Sequence, residues 1–429
     1  MTKEEEQRII SDLVSFLDRS PTAWHATELS EKMLQEQGFQ KVHEKDSWDL
    51  RPGTAYYVVR NETSLCAFIT PNKPPVSARV AAAHSDSPAL KIKPQGEYQQ
   101  ENMKMLDVEV YGGPLLTSWL NRDLGIAGSV VVKESSGAVV RKTVTLDDAV
   151  VTIPQLAVHL DRQVNEKGLV LNRQDHLSAI ASINDYNGSF IEGQLRKKVG
   201  SFKELLGFDL FLYPLEPAKY IGPNQEMLAS YRYDNLGSAH ACLTGLFGAL
   251  TPSDETLKMV VIWDHEEVGS STANGAASPF FRDTLDRIML HLSGATEDVY
   301  RILSESFCLS VDQAHALHPN YPSRHDPRHA PLLGKGVTIK HNAQQRYATN
   351  AIGQAMVKEL CQKNGIDFQE FVSRGDMPCG STIGPIHATA TGMKTVDVGC
   401  PQLSMHGARE LSACSDHLSM SLLVQAFLN

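Results

Sequence analysis

The stretch MVVIWDHEEVGS (259–270) decides the fold. Five apolar residues, Met259–Trp263, run directly into four polar ones, Asp264-His265-Glu266-Glu267. An apolar run without polar alternation is the pattern of a strand buried on both faces. The polar group then marks its carboxyl end. Three other segments repeat the arrangement: Ala78–Ala83 ends at His84, Phe307–Val311 ends at Asp312, and Thr395–Val398 ends near Gly399. Helical patterns lie between them. The clearest puts Leu236, Ala239, Leu243, Leu246, Phe247 and Leu250 on one face, with Asp234 as its expected N-cap. Two more are expected at the start of the chain. One carries Ile9, Ile10, Leu13, Val14, Phe16 and Leu17 and ends at Ser20-Pro21; the other runs from about Ala23 to Gln37 and stops at Gly38. Strands alternating with helices imply an α/β layer fold.

Residues 92–225 follow a different pattern. Alternating strands appear at Asp107–Tyr111, Ser129–Lys133 and Ala138–Thr145, and Glu134-Ser-Ser-Gly137 joins the last two as a hairpin. This segment holds 14 Lys and Arg against 16 Asp and Glu, so most of the net charge of −10 lies outside it. The 429 residues therefore divide into a split α/β domain, 1–91 and 226–429, carrying an inserted β-rich domain, 92–225.

An acidic balance argues against partners that need a basic face, namely nucleic acid and anionic membranes. The N-terminal MTKEEEQRII has neither the basic start nor the apolar core of a secretory signal. The longest apolar runs are far short of the roughly 20 residues that span a bilayer. Seven cysteines without a CxxC suggest neither a disulfide framework nor a cysteine zinc site. A cytoplasmic protein with reduced thiols is expected, and the sequons at Asn61 and Asn187 carry little weight.

In open α/β sheets ligands bind outside the carboxyl ends of the strands. His84-Ser-Asp86 stands at one such end. In extended chain, residues i and i+2 point the same way, so Asp86 can orient the His84 ring. Alone, the pair also suits a solvated turn. Glu266 and Glu267 suit an exposed acidic pair, or one metal ligand and one base for the adjacent water. Asp312 ends an apolar strand, where a carboxylate is costly unless paired or on a metal. His406 follows the Thr395–Val398 strand by a short loop, as a ligand or a surface histidine. Together, two histidines and at least three carboxylates meet at one edge. Oxygen and imidazole donors in that number suit two ions of zinc, manganese or cobalt. The loop from His315 and His318 through His325 and His329 suits direct metal binding but reads better as a roof over this edge. HExxH, GxSxG, GxGxxG after a strand and a Walker A sequence are all absent.

These residues sit in longer motifs: AAAHSDSPALKIKP (81–94), YDNLGSAHACL (233–243), DHEEVGS (264–270), SVDQAHALHPNYP (310–322), IKHNAQQRYATN (339–350), DMPCGSTIGPI (376–386) and DVGCPQLSMHGARE (397–410). In this order the chain resembles, nearly end to end, the M18 family of metalloaminopeptidases, and within it the aspartyl aminopeptidases. The resemblance implies that His84, Asp234 and Asp312 hold one divalent ion. It implies that Asp234, Glu267 and His406 hold a second, with zinc the expected metal. Glu266 becomes the general base, Asp86 its supporting aspartate, and no position departs from the family pattern. The resemblance also implies an α/β catalytic domain of mixed sheet, a dimerisation role for the insert, and a homododecamer. His159 would then reach a neighbouring subunit's active site. The implied reaction releases N-terminal residues from peptides, preferentially Asp or Glu, with Lys340 reading the acidic side chain and Arg346 and Arg374 as weaker candidates. The alternatives are an M18 enzyme preferring neutral or hydrophobic N-termini, and another dinuclear amide hydrolase, a carboxypeptidase or deacylase, on the same scaffold. An assembly without catalysis is a further alternative, disfavoured by the intact ligand set.

Overall fold

The computed structural model describes residues 2–183 and 188–429; Asn187 of the second sequon lies outside them. The chain forms two compact units. The first comprises 1–86, 219–405 and 410–429, and the second comprises 87–218 and 406–409. The insert thus starts and ends a few residues earlier than the sequence pattern suggests. The four-residue segment His406–Arg409 joins it, which no local pattern announced.

The first unit is built on a nine-stranded sheet. Its centre is four mutually parallel strands: Thr256–Trp263, Ser77–His84, Phe307–Val311 and Lys394–Gly399. Antiparallel Ser64–Ile69 and Ala55–Arg60 extend one side, with Gln40–Lys41 at the edge. On the other side Val337–His341 runs antiparallel to Lys394–Gly399, and Phe368–Val372 is parallel to Val337–His341. The sheet is therefore mixed. The central strands are buried almost throughout, which explains their unbroken apolar runs.

Helices cover both faces. On one, Phe280–Leu292, Thr296–Glu305 and Ile383–Thr391 supply Phe280, Leu285, Ile302 and Ile383 to a core with Val80, Ala82, Val261 and Trp263. Tyr233–Phe247 and Cys414–Leu428 pack on each other and against the same central strands. Gly245 permits that approach, since a Cβ there would stand 2.5 Å from Val424 Cγ1. A smaller five-stranded sheet joins Lys219–Ile221, Met227–Ser230, Glu410–Ala413, Pro401–Leu403 and Ala314–His315. No helix among the described residues is long and apolar enough to cross a membrane.

The second unit is a six-stranded antiparallel sheet, ordered Val139–Val151, Leu124–Lys133, Glu204–Pro214, Ala89–Gln100, Met103–Tyr111 and Ala179–Ile183. The expected hairpin is present. Gly137 takes a φ of +89°, and Glu134 N donates to Ala138 O at 2.9 Å.

Candidate metal centre

Parallel pairing puts the carboxyl ends of the four central strands on one edge, and the polar residues follow there. His84 is the last residue of its strand and only 1% exposed. Its Nδ1 lies 3.1 Å from the Asp86 carbonyl and 3.3 Å from Asp86 Oδ1. Both neighbours are acceptors, so Nδ1 donates toward Asp86, which leaves Nε2 as the nitrogen that can face a metal. Around Nε2 stand Asp312 Oδ1 at 3.6 Å, Asp234 Oδ1 at 3.7 Å and Glu266 Oε2 at 3.9 Å.

The Asp264–Glu267 segment reaches this point through a sharp turn. His265 takes a left-handed φ of +60°, and Glu266–Val268 form one 3-10 turn. Asp86 fixes that turn: Oδ1 accepts from Glu266 N at 3.1 Å, and Oδ2 accepts from Glu267 N at 3.0 Å. One buried carboxylate thus orients a histidine and two glutamates.

Asp234 is not the N-cap expected of it. Residues 234 and 235 depart from helical dihedrals, and the peptide bond between them is cis. Asp234 N donates to Glu410 Oε2 at 2.9 Å, and the side chain faces His84 rather than the helix start. The regular helix begins beyond it. Asp312 N donates to Val398 O, which ties it to the neighbouring strand.

Two groups in this unit can chelate an ion: His84 with Asp234 and Asp312, and His84 with Glu266 and Glu267. In each, the donor atoms lie within 4.8 Å of one another. One imidazole lone pair facing several carboxylates is the donor set of a divalent cation, so the residues fit the implied metal. Electrostatics agree. Burial, then the neighbouring Asp312, Glu267 and Asp86, push Glu266 well above the usual carboxylate range, although His84 opposes this. Burial also works against an ionised Asp312, yet Lys340 beside it and His84 hold it well below that range. Such crowding of like charge is what a bound cation relieves.

Lys340 is itself 2% exposed. Its Nζ donates to Gln313 O at 2.7 Å, stands 3.5 Å from Asp312 Oδ2, and lies 5.0 Å from the ring centroid of Tyr347. Arg374 is committed elsewhere, to Asp376 through Nε and Nη2. His406 and His159 belong to the second unit. His406 Nδ1 is 3.0 Å from Gly113 O, which sets the tautomer with the lone pair on Nε2. His159 is exposed in a turn.

Sequence reasoning missed Glu410, Tyr347 and Asp397. Asp397 is fully buried and accepts from Ala348 N, Ser310 Oγ and Thr382 Oγ1 at 2.6–2.7 Å, fastening the loop that carries Tyr347. A carboxylate inside the apolar run KTVDVG (394–399) was the available signal.

The family model described as Aminopeptidase I zinc metalloprotease (M18) matches residues 16–428. A probable M18 family aminopeptidase 2 of Streptomyces avermitilis is 40% identical over 426 residues, covering 97% of this chain and 96% of the relative. The aspartyl aminopeptidase of Dictyostelium discoideum is 35% identical over 460 residues, covering 97% and 95%. Among solved structures, the Ape4 and Nbr1 complex contains a chain with a TM-score of 0.94 at 33% identity, covering 99% of this chain and 86% of that one. The mApe1 dodecamer of S. cerevisiae gives 0.84 at 25% identity, covering 99% and 97%. The match runs through every strand end that carries a candidate ligand, and on it the chain belongs to the M18 family of zinc metalloaminopeptidases and is a peptide hydrolase.

Proposed function

We propose that the chain is a dinuclear aminopeptidase that removes N-terminal Asp or Glu from peptides. The observation that carries this reading is the convergence of Asp234, Glu266, Glu267 and Asp312 on the single lone pair of His84. His84, Asp234 and Asp312 would hold one ion, and Asp234, Glu267 and His406 the other. Zinc suits the donors, and manganese or cobalt are alternatives. When bound, such ions supply Lewis acidity that lets water lose a proton near neutral pH.

The chain's own residues do the rest. Glu266 takes that proton on a carboxylate oxygen and returns it to the nitrogen of the leaving amine. Asp86 holds the Glu266 and Glu267 amides and so keeps base and ligand in register. Lys340 would supply the cation for an acidic first side chain, and His159 of a neighbouring copy would add a donor near the reacting carbonyl. The net charge of −10 repels acidic peptides at long range, so the preference must be local. The relative named aspartyl aminopeptidase supports the same specificity.

Self-association belongs to this reading. The inserted unit exposes Leu156 and Val170 around a cavity of about 630 Å³, and an apolar surface of that kind marks an interaction surface. With the dodecameric relative, it supports a homododecamer built through the insert. Seven cysteines without a disulfide suit the cytoplasm.

The test is a peptide panel varying only the N-terminal residue, run with zinc, manganese or cobalt. Asp and Glu should be released fastest, and N-acetylated peptides should not react. Lys340→Ala should lower turnover of Asp-peptides at least tenfold more than of Leu-peptides. Equal losses would remove Lys340 from specificity. Cleavage of blocked peptides would point to a deacylase or carboxypeptidase.

A further inference from the structure

The segment that follows Asp312 and the segment 402–405 line a second cavity in the first unit. Its volume is about 330 Å³, within the span of small-molecule sites, roughly 300–1,000 Å³. His315, His318, Arg324, His325, Arg374 and Gln402 line it. It adjoins the proposed centre through the chain itself. His315 is the third residue after Asp312 and pairs with Gln402 across the small sheet. Phe371, also on the wall, is the register partner of Lys340.

Two features of this cavity call for a ligand. Gln402 is 2% exposed, yet neither its Oε1 nor its Nε2 has a hydrogen-bond partner among the described residues. A buried amide left unpaired is costly, and such a group is retained where something else pairs with it. A side-chain amide offers N–H donors and a carbonyl acceptor side by side, the complement of a peptide group. The second feature is charge. Arg374 is spent on Asp376, and Asp326 accepts from His329 Nδ1 and two backbone amides. Arg324 has no ion pair among the described residues, which leaves its guanidinium as the available cation of the wall. A guanidinium beside imidazoles is a carboxylate receptor.

We propose that this cavity is the subsite for the residue after the cleaved bond, where Gln402 holds the peptide group and Arg324 a carboxylate. The inference rests on the aminopeptidase reading above. It assigns the first residue's side chain to Lys340 and the next residue's carboxylate to a separate cation. That carboxylate is either the C-terminus of a dipeptide or an acidic side chain at the second position.

The test compares kcat/KM for Asp-Ala with Asp-Ala-amide, and for Asp-Glu-amide with Asp-Gln-amide. Asp-p-nitroanilide, which has no second carboxylate, reports the underlying cleavage by the wild type. Failure on that compound overturns the Asp/Glu preference of the proposed function rather than the subsite. With cleavage present, at least one pair should show about a tenfold preference for the carboxylate, and which pair does so identifies its source. Net repulsion by the chain works against both preferences, so a preference is local. Arg324→Ala should bring the ratio within twofold of unity, Arg324→Lys should restore part of it, and Gln402→Met should raise KM for every peptide. No preference in the wild type, or one that survives Arg324→Ala, overturns the subsite. Because each ratio is internal to one variant, a partial loss of folded protein does not disturb it.

Discussion

Replacing Asp86 tests the construction of the centre most directly. Its carboxylate accepts from the Glu266 and Glu267 amides and faces His84 Nδ1, all while 3% exposed. Hydrogen bonds to a charged group contribute about 1.5–3 kcal/mol each. Losing a partner of a ligating histidine typically costs about 10–100-fold in metal affinity or activity, which is about 1.4–2.7 kcal/mol. Asp86→Ala removes three such contacts and strands two backbone donors, so the upper end is expected: about 100-fold weaker zinc binding. Asp86→Asn retains one acceptor oxygen but turns an amide nitrogen toward a donor, and should fall between. Zinc affinity is read by titrating metal-free protein against a competing chromophoric chelator, with circular dichroism to verify the fold. Wild-type affinity and turnover in a folded Asp86→Ala protein would refute the positioning role.

Other outcomes follow from the same geometry. Glu266→Gln keeps an oxygen in place but cannot accept the proton, so metal content measured by mass spectrometry should hold while kcat falls about 10²–10⁴-fold. Gly384→Ala places a Cβ 2.4 Å from both Asp397 carboxylate oxygens; the displaced hub should cost about 1–3 kcal/mol in urea unfolding. His387 is fully buried against Phe281, and burial lowers its pKa from 6.5 to about 4. The unfolded chain then binds more protons below pH 6.5, so stability is lost as pH falls toward 4, by about 2 kcal/mol at pH 5 from this group. His387→Leu should flatten that limb of the thermal melting profile, and an unchanged limb would contradict the neutral buried state.

The carboxyl ends of the parallel strands were legible because each is an apolar run stopped by a polar residue. His84, Asp312 and the Glu266-Glu267 pair stand there, and strand pairing alone aligns them. Asp234 was legible as a residue but not in its role. Spacing suggested a cap, whereas the backbone leaves helical dihedrals at 234 and 235 and turns the carboxylate toward His84. Lys340 read as a surface lysine without the family motif, since nothing local shows that its strand is flanked on both sides. Glu410 acts through Asp234 N across 176 positions, and such pairings depend on register that no short window contains. The grouping of His406–Arg409 with the insert has the same origin: Leu115 N donates to His406 O, and Ala408 N donates to Ser118 Oγ.

Charge is not distributed evenly within the centre, and the unevenness assigns roles. Burial pushes both Glu266 and Asp312 toward the neutral form. Asp312 escapes because Lys340 lies 3.5 Å from its Oδ2, and it is held ionised. Among the described residues no lysine acts on Glu266, which is pushed the other way by burial and by Asp312 itself. A carboxylate that stays anionic is suited to holding a cation across a wide pH range, while one drawn toward protonation is suited to accepting a proton and giving it up. On the proposed mechanism, Lys340 would therefore matter to catalysis even before any acidic side chain arrives. It would separate the proposed ligand Asp312 from the proposed base Glu266, carboxylates that local sequence makes look alike. Its loss would blur that separation as well as remove a cation from the pocket.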